Sequence, residues 1–389
     1  MSSEFARYSL MDLASEVVDN RGRSCPTADV GIPLIATNCI KPDHLYPVFE
    51  NIRFVDDKTY ESWFRGHPEP GDILFVCKGS PGRVALVPDP VPFCIAQDMV
   101  SIRANDELAY PRYLYYVLKN PKTLRAIENM HVGTMIPHFK KGDFKNLHLD
   151  IHSSLGRQRG IAEVLGALDD KIAANRKLAA TADQLAVATV KGRQMDGHSV
   201  VLADVASVTM GTSPPGDTYN EDGTGMVFYQ GNRDFGFRSP ANRVWTVEPK
   251  RVAHPGDTLL SVRAPVGQLN VASEETCIGR GLAALRSTVG TPSVLYYRLK
   301  AATGLWESYE SGGTIFGSIN GKELNALTIP GLAGSAEALE RQISALDRAI
   351  ASAEAEVVTL SSMRDTLLPR LMSGELRVRD AEKVVENVL

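Results

Sequence analysis

The stretch Gln158-Arg159-Gly160-Ile161-Ala162-Glu163-Val164-Leu165-Gly166-Ala167-Leu168-Asp169-Asp170-Lys171-Ile172 spaces its apolar residues as a helix does. Ile161, Val164/Leu165, Leu168 and Ile172 recur three and four apart, along one face of a 3.6-residue period. The pattern continues through Leu178, Ala182 and Leu185, which predicts a helix from about Gly156 to Val190. A second stripe runs Leu339, Ile343, Leu346, Ile350, Ala353, Val357, Leu360, then Leu367 and Leu371, and predicts a helix from about Ser335 to Leu371. Its steps alternate four and three through Leu360, which is a heptad seam that only Arg364 interrupts. At 1.5 Å per residue each helix spans on the order of 50 Å, too long for the core of one domain. A coiled coil is the expected use, and the other helix of this chain is the natural antiparallel partner. Asn175 lies near the first seam and is either a buried register-setting residue or an exposed flank.

The two helices close two copies of one unit. Asp12-Leu13-Ala14-Ser15 corresponds to Asp204-Val205-Ala206-Ser207, and Gly31 with Asn38 to Gly225 with Asn232. Pro70-Gly71-Asp72-Ile73-Leu74 corresponds to Pro255-Gly256-Asp257-Thr258-Leu259, followed by Lys78 and Gly82 in one copy and Arg263 and Gly267 in the other. Cys94-Ile95 matches Cys277-Ile278, and Leu114-Tyr115-Tyr116 matches Leu295-Tyr296-Tyr297. Gly133-Thr134 matches Gly313-Thr314, and Leu168-Asp169 matches Leu346-Asp347. The landmarks keep their order at offsets drifting from about 194 to 178, which is a duplication; a solenoid needs three or more copies.

Ahead of each helix lies a globular part, about 8–152 and 199–331, rich in Gly, Pro, Asn and Asp. Runs such as 72–76 and 83–87 read as strands bounded by turns. Segments 111–119 and 292–301 read as short helices opened by a proline. The expected fold class is α/β in the mixed α+β sense: two tandem domains, each followed by a long helix, the helices pairing as an antiparallel coiled coil with pseudo-twofold symmetry. The expected division is 1–152, 153–198, 199–331 and 332–389.

Length and composition agree. At roughly 150 residues per domain, 389 residues suggest two to three domains. Hydrophobic content of 43% and charged content of 23% are those of a globular protein, not a disordered or collagen-like one. No apolar run reaches the ~20 residues of a membrane span. MSSEFARYSL lacks a basic region followed by an apolar core, so no signal peptide is expected. Five cysteines, Cys25, Cys39, Cys77, Cys94 and Cys277, show no CxxC spacing and read as reduced, buried thiols of a cytoplasmic protein. The net charge of −4 argues mildly against a lone duplex-DNA binder.

The motifs of catalysis are missing. No GxxxxGK[ST] phosphate loop, no GxGxxG after a strand and no GxSxG elbow occurs. Nor is there an Asn/Asp-Pro-Pro-Tyr/Phe tetrapeptide of amino-methyltransferases. His131, His138, His148 and His152 cluster without acidic or thiol partners at ligand spacing, so no metal is expected. Glu248-Pro249-Lys250 fits a loose nuclease triplet of a kind common by chance. Two domains, a spacer and no active site point to a binding protein.

At this point the residues resemble a family. The stretch 158–172, continued by Asn175-Arg176 and Asp183-Gln184-Leu185-Ala186, is similar to the central helix of the specificity (S) subunit of type I restriction-modification systems. Leu367-Leu368-Pro369-Arg370-Leu371-Met372-Ser373-Gly374-Glu375-Leu376 resembles the end of its distal helix. The Pro-Gly-Asp stretches with Lys/Arg-x(3)-Gly, and the Gly-Thr segments, resemble its target recognition domains. The second helix entry, Pro330-Gly331-Leu332-Ala333-Gly334, departs from the Glu-Gln-containing pattern usual there.

The resemblance implies a non-catalytic subunit of a phage-defence complex. Each recognition domain would read one half of a bipartite, asymmetric sequence in double-stranded DNA. The helices would set the gap and dock two methyltransferase (M) subunits, which bring S-adenosylmethionine and adenine-N6 methylation. Restriction (R) subunits would bring ATP and Mg2+ chemistry, leaving no cofactor on this chain. A protein-interaction adaptor with no DNA role is the alternative from another class.

Base reading needs Arg or Lys for guanine and Asn or Gln for adenine. Loop residues of those and related polar types are Lys78, Arg83, His138, Lys140 and Lys141 in the first domain. In the second they are Gln230, Asn232, Arg233, Arg263, Gln268 and Ser318. Lys140 and Lys141 fit phosphate contacts, which fix register without reading sequence. Gly71, Asp72, Gly256 and Asp257 fit turns before strands, and the tyrosine pairs 115/116 and 296/297 fit the core. Asp169, Asp170, Lys171 and Arg176 are expected on exposed helix faces that dock the M subunits.

Overall fold

The computed structural model describes the chain except residues 1–3, 21, 23, 131–136, 303, 311–316, 387 and 389. The Gly133-Thr134 and Gly313-Thr314 match and His131 therefore lie outside the described residues. The chain forms two compact units, residues 1–175 with 356–389, and residues 176–355. The central helix Leu155–Lys191 and the distal helix Ala336–Met372 are each continuous, and each contributes one half to either unit.

In the first unit Phe5–Ser9 pairs antiparallel with His148–His152. A four-stranded antiparallel sheet follows in the order Ala14–Val18, Met99–Ala104, Ile73–Val76, Val84–Leu86. A three-stranded sheet has Ile32–Ile35 between Arg53–Val55 and Cys94–Ile95. Ile73–Val76 is apolar throughout because the sheet is covered on both faces. Successive side chains alternate, so Ile73 and Phe75 enter one cluster and Leu74 and Val76 another. Helix Pro111–Lys119 opens on its proline, as predicted, and buries Tyr113, Leu114, Tyr115, Tyr116, Val117 and Leu118.

The second unit repeats this plan. Gln194–Val201 pairs with Thr328–Leu332, and a four-stranded sheet runs Ala206–Met210, Leu282–Ser287, Thr258–Ser261, Leu269–Val271. The counterpart of the first unit's three-stranded sheet gains two strands, Tyr219–Asn220 and Val252–Ala253, around Trp245–Thr246, Met226–Tyr229 and Thr276–Ile278. Tyr296 and Tyr297 on helix Pro292–Ala301 are buried, as are Tyr115 and Tyr116.

The two long helices pair antiparallel inside each unit. In the first, Ile161, Leu165, Leu168 and Ile172 share a core with Leu360, Leu367 and Leu371. In the second, Ala186 and Val190 pack with Leu339 and Ile343, and Ala179 and Ala182 with Ile350 and Ala353. This corrects the seam expected for the central helix. Leu178 is 52% exposed and Leu185 54% exposed. Continuing three-four steps from Ile172 leads to Asn175, Ala179, Ala182 and Ala186, so the seam is lined by alanine and the larger leucines stand one position outside it. Asn175 is buried, and its Nδ2 donates to Glu356 Oε2 at 2.8 Å.

Asp169 departs from its expected place on an exposed helix face. It is 1% exposed, accepts from Tyr116 Oη at 2.7 Å and pairs with Arg364 at 2.7 Å. The arginine that breaks the distal stripe is thus a buried seam residue facing a buried carboxylate. The C-terminal stretch also holds an element the sequence did not suggest. Helix Val378–Glu386 buries Ala381 and Val385 in the first unit's main core, with Val378 against Gly160.

Candidate nucleic-acid interface

In the first unit the hairpin Ile73–Val76 to Val84–Leu86 is closed by Gly82, whose N–H donates to the Val76 carbonyl at 3.1 Å, while Val76 N–H donates to Arg83. Gly82 has φ +89°, and a Cβ there would press on Leu124 and Ile127, so the turn needs glycine twice over. Beyond the strand, Cys77 N–H donates to Asp98 O at 2.8 Å and Phe139 N–H to Cys77 O at 2.7 Å. These bonds hold Lys78 opposite His138 as an isolated antiparallel bridge. Lys140 follows, its N–H capped by Asp143 Oδ2 at 2.9 Å, at the entry to the short turn Lys141–Asp143. Lys78, His138, Lys140 and Lys141 line one open concavity of about 590 Å³, together with Gln97 and Asp98. Lys141 Nζ reaches back to Val17 O at 3.2 Å, whereas Arg83 is exposed at the hairpin turn and does not line the concavity.

The second unit uses the same backbone. Gly267 N–H donates to Ser261 O, Ser261 N–H to Gln268 O, Val262 N–H to Gly281 O and Ile319 N–H to Val262 O. Bond for bond, Arg263 takes the place of Lys78, Gln268 that of Arg83 and Ser318 that of His138. Arg263 and Ser318 form the matching isolated bridge. Gln230 joins through its carbonyl, which accepts from Gly281 N–H at 3.0 Å, and Asn232 Nδ2 donates to Gln268 Oε1 at 2.6 Å. Arg233 is exposed in the turn Asn232–Asp234, next to Asn232 in sequence.

The cations of these loops differ from those of the sheets. Among the described residues, Lys78, Arg83, Lys140, Lys141, Arg233 and Arg263 have no ion-pair partner, while Arg103 binds Asp72 and Arg286 binds Asp257 at 3.1 and 2.8 Å. Asp72 and Asp257 are buried behind Gly71 and Gly256, which have φ of +85° and +87°. They are turn and sheet residues, as expected. Unpartnered cations on rigidly bonded loops suit a polyanion that supplies the missing charge.

Two further side chains share these positions. Gln97 lines the first concavity, and its counterpart Arg280 is exposed between Gly279 and Gly281. A Cβ on Gly281 would lie 2.6 Å from Gln230 O and one on Gly279 2.9 Å from Gln230 Cα. The glycines pack inward against that strand end and leave Arg280 outside. The Gly-Arg-Gly spacing was the available signal.

On the helices, Asp170 is bound by Arg112 at 2.7 Å and Lys171 by Glu356 at 3.3 Å, and Arg176 is half-buried. Arg112 lies against Gly166, where a Cβ would approach its Cζ to 2.9 Å. No disulfide joins the described cysteines; Cys39, Cys77, Cys94 and Cys277 are buried and Cys25 half-buried. Burial pushes the Cys94 thiol up to about 12. Among the described residues no group of three or more His, Cys, Asp or Glu is placed to hold a metal, and no helix is long and apolar enough to cross a membrane.

The same loop scaffold thus occurs twice, once in each unit beside the paired helices. Residues 35–183 match the family described as type I restriction modification DNA specificity domain. The chain is 27% identical over 363 residues to the type I restriction enzyme MjaX specificity subunit of Methanocaldococcus jannaschii, covering 84% of this chain and 83% of that one. It is 25% identical to the HsdS subunit from Thermoanaerobacter tengcongensis, over 97% and 98% of the two chains, at a TM-score of 0.39. With the type I restriction-modification S subunit from M. genitalium it shares the fold, at a TM-score of 0.57 and 18% identity over 95% and 96% of the chains. The chain is thus similar, over most of its length, to type I restriction-modification specificity subunits.

Proposed function

We propose that this chain chooses the DNA sequence on which a type I restriction-modification complex acts. It is non-catalytic. Each unit reads one half of a bipartite, asymmetric target, and the helices dock the M subunits, with R subunits joining the complex. S-adenosylmethionine, ATP and Mg2+ belong to those partners, and the complex works in the cytoplasm. Residues 1–152 and 199–331 act as target recognition domains, with 153–198 and 332–389 as spacer segments.

The observation that carries the reading is the pairing of Lys78 with His138 and of Arg263 with Ser318 at equivalent backbone positions. One scaffold presents two unlike side-chain sets, which is what an asymmetric target requires. Lys78, Arg83 and His138 read the first half. Gln230, Asn232, Arg233, Arg263, Gln268 and Ser318 read the second. Lys140 and Lys141 hold phosphate.

For docking, Asp170, Lys171 and Arg176 remain candidates, joined by Leu178 and Leu185. These two leucines lie seven residues apart, exposed on one face of the central helix, where a partner helix would cover them. The test is binding by the assembled methyltransferase complex to duplexes carrying either half-site mutated. Loss on mutating either half supports the reading; recognition of one contiguous palindrome overturns it.

A further inference from the structure

We propose that Arg238 is a positioning residue that clamps the second reader onto its helix pair and so makes the gap between half-sites discriminating. The inference rests on the function proposed above. Arg238 sits in the loop after the turn Asn232–Asp234, within the second unit's globular part, yet its side chain is 7% exposed. Nη2 donates to Asp347 Oδ1 of the distal helix at 2.7 Å. The guanidinium lies 3.4 Å from the ring centroid of Tyr296. Its backbone N–H donates to Glu354 Oε1 at 3.3 Å, and its carbonyl accepts from Val271 N–H at 2.9 Å. One residue thus ties the reader's sheet, the tyrosine helix and the distal helix together. Lys300 adds a second tie, to Asp183 of the central helix at 2.7 Å.

The first unit solves the same position differently. There Leu86 N–H donates to Leu45 O at 2.8 Å, the bond that corresponds to Val271 with Arg238. Leu45 is a buried apolar side chain in the main core. Asp169, the counterpart of Asp347, is occupied by Tyr116 and Arg364 instead. So one carboxylate position takes a tyrosine hydroxyl and an arginine of the other long helix in the first unit, and a loop arginine of the reader in the second.

A buried ion pair adds little stability over a well-packed apolar pair, but its geometry is directional. An apolar contact tolerates sliding and rotation. A guanidinium stacked on a ring and bonded to a carboxylate does not. The reader's attitude on the helix is therefore fixed by Arg238, and a displaced half-site meets a reader that cannot follow it.

The experiment uses the assembled methyltransferase complex and synthetic duplexes carrying the two half-sites read from the wild-type strain's N6-methyladenine map. The native gap is compared with gaps one base pair longer and shorter. Arg238→Leu installs the first unit's solution, and Asp347→Asn removes the charge while keeping the shape. The expected result is methylation at the native gap within about twofold of wild type, while the preference for the native gap falls at least about tenfold, the size of one good contact. Thermal unfolding by circular dichroism reports whether each variant is folded, and Asp347→Asn decides if Arg238→Leu is not. Wild-type gap preference in the folded variants, or an equal loss of activity at every gap, overturns the proposal. A wild-type complex with no bipartite target overturns the proposed function instead.

Discussion

Arg364 Nη1 lies 2.7 Å from Asp169 Oδ1, and both side chains are buried at the seam between the long helices of the first unit. Burial opposes the arginine's charge, yet Asp169 and Asp365 hold its pKa above the ordinary value. On the other side, Tyr116 Oη donates to Asp169 at 2.7 Å, and burial raises the tyrosine well above its usual range. The polar interruption of the stripe is fully bonded, and it fixes which turns of the two helices face each other.

That pairing makes a stability prediction. Asp169→Leu leaves Arg364 buried without its main partner and is expected to cost about 3–5 kcal/mol in urea unfolding. Asp169→Leu combined with Arg364→Leu is expected to cost much less, since both charges go together. Equal losses for the single and double variants would contradict the account.

His152 gives a pH prediction. Its ring is buried, with Nε2 3.1 Å from the Leu371 carbonyl and Nδ1 without a partner. Nε2 must therefore carry the proton, and burial lowers the ring's pKa below 6.5, against the pull of the Leu371 carbonyl. The unfolded chain takes up a proton before the folded one does. Stability is thus full above about pH 6.5 and falls as pH drops below it. Unfolding midpoints measured from pH 7.5 to 5 check this, and His152→Gln is expected to flatten the decline.

The exposed leucines give an assembly prediction. Leu178→Ser with Leu185→Ser removes no seam contact, so the unfolding midpoint is expected to stay within a degree or two, surface changes being worth about 0.5 kcal/mol or less. Co-purification with the M subunit is expected to fall clearly. Undiminished assembly would remove the central helix's leucine face from the docking surface.

The readers give a paired prediction. Lys78→Ala is expected to relax preference in one half-site only and Arg263→Ala in the other, each by about 1–3 kcal/mol in competition binding. Lys140→Ala is expected to weaken binding to all sequences alike and to lower the salt slope by about one. Loss of preference in both halves from one substitution would contradict separate readers.

Much of this was legible in the sequence because duplication writes each landmark twice. The long helices, the proline-opened tyrosine helices and the Pro-Gly-Asp turns all followed from spacing. The equivalent places of Lys78 and Arg263 were legible because a basic residue and a glycine recur after each Pro-Gly-Asp. What escaped was burial. Leu178 and Leu185 outweigh Ala179 and Ala186 on any hydropathy reading, yet those two alanines join Ala182 in the seam. Asp169 reads as a surface acid until Tyr116 and Arg364 close over it. Arg238 sits in a loop without a motif, and only the tertiary fold brings it to Asp347 and Tyr296. Helix Val378–Glu386 is short and charged, and only its packing on the first unit's core marks it as structure.

The central claim is that this chain supplies sequence choice for adenine methylation. The most direct measurement is a single-molecule map of N6-methyladenine in the host strain, with the gene intact, deleted, and carrying Arg263→Ala. The account predicts that one bipartite, asymmetric motif vanishes on deletion and that Arg263→Ala alters only one of its halves. An unchanged methylation map on deletion would contradict it.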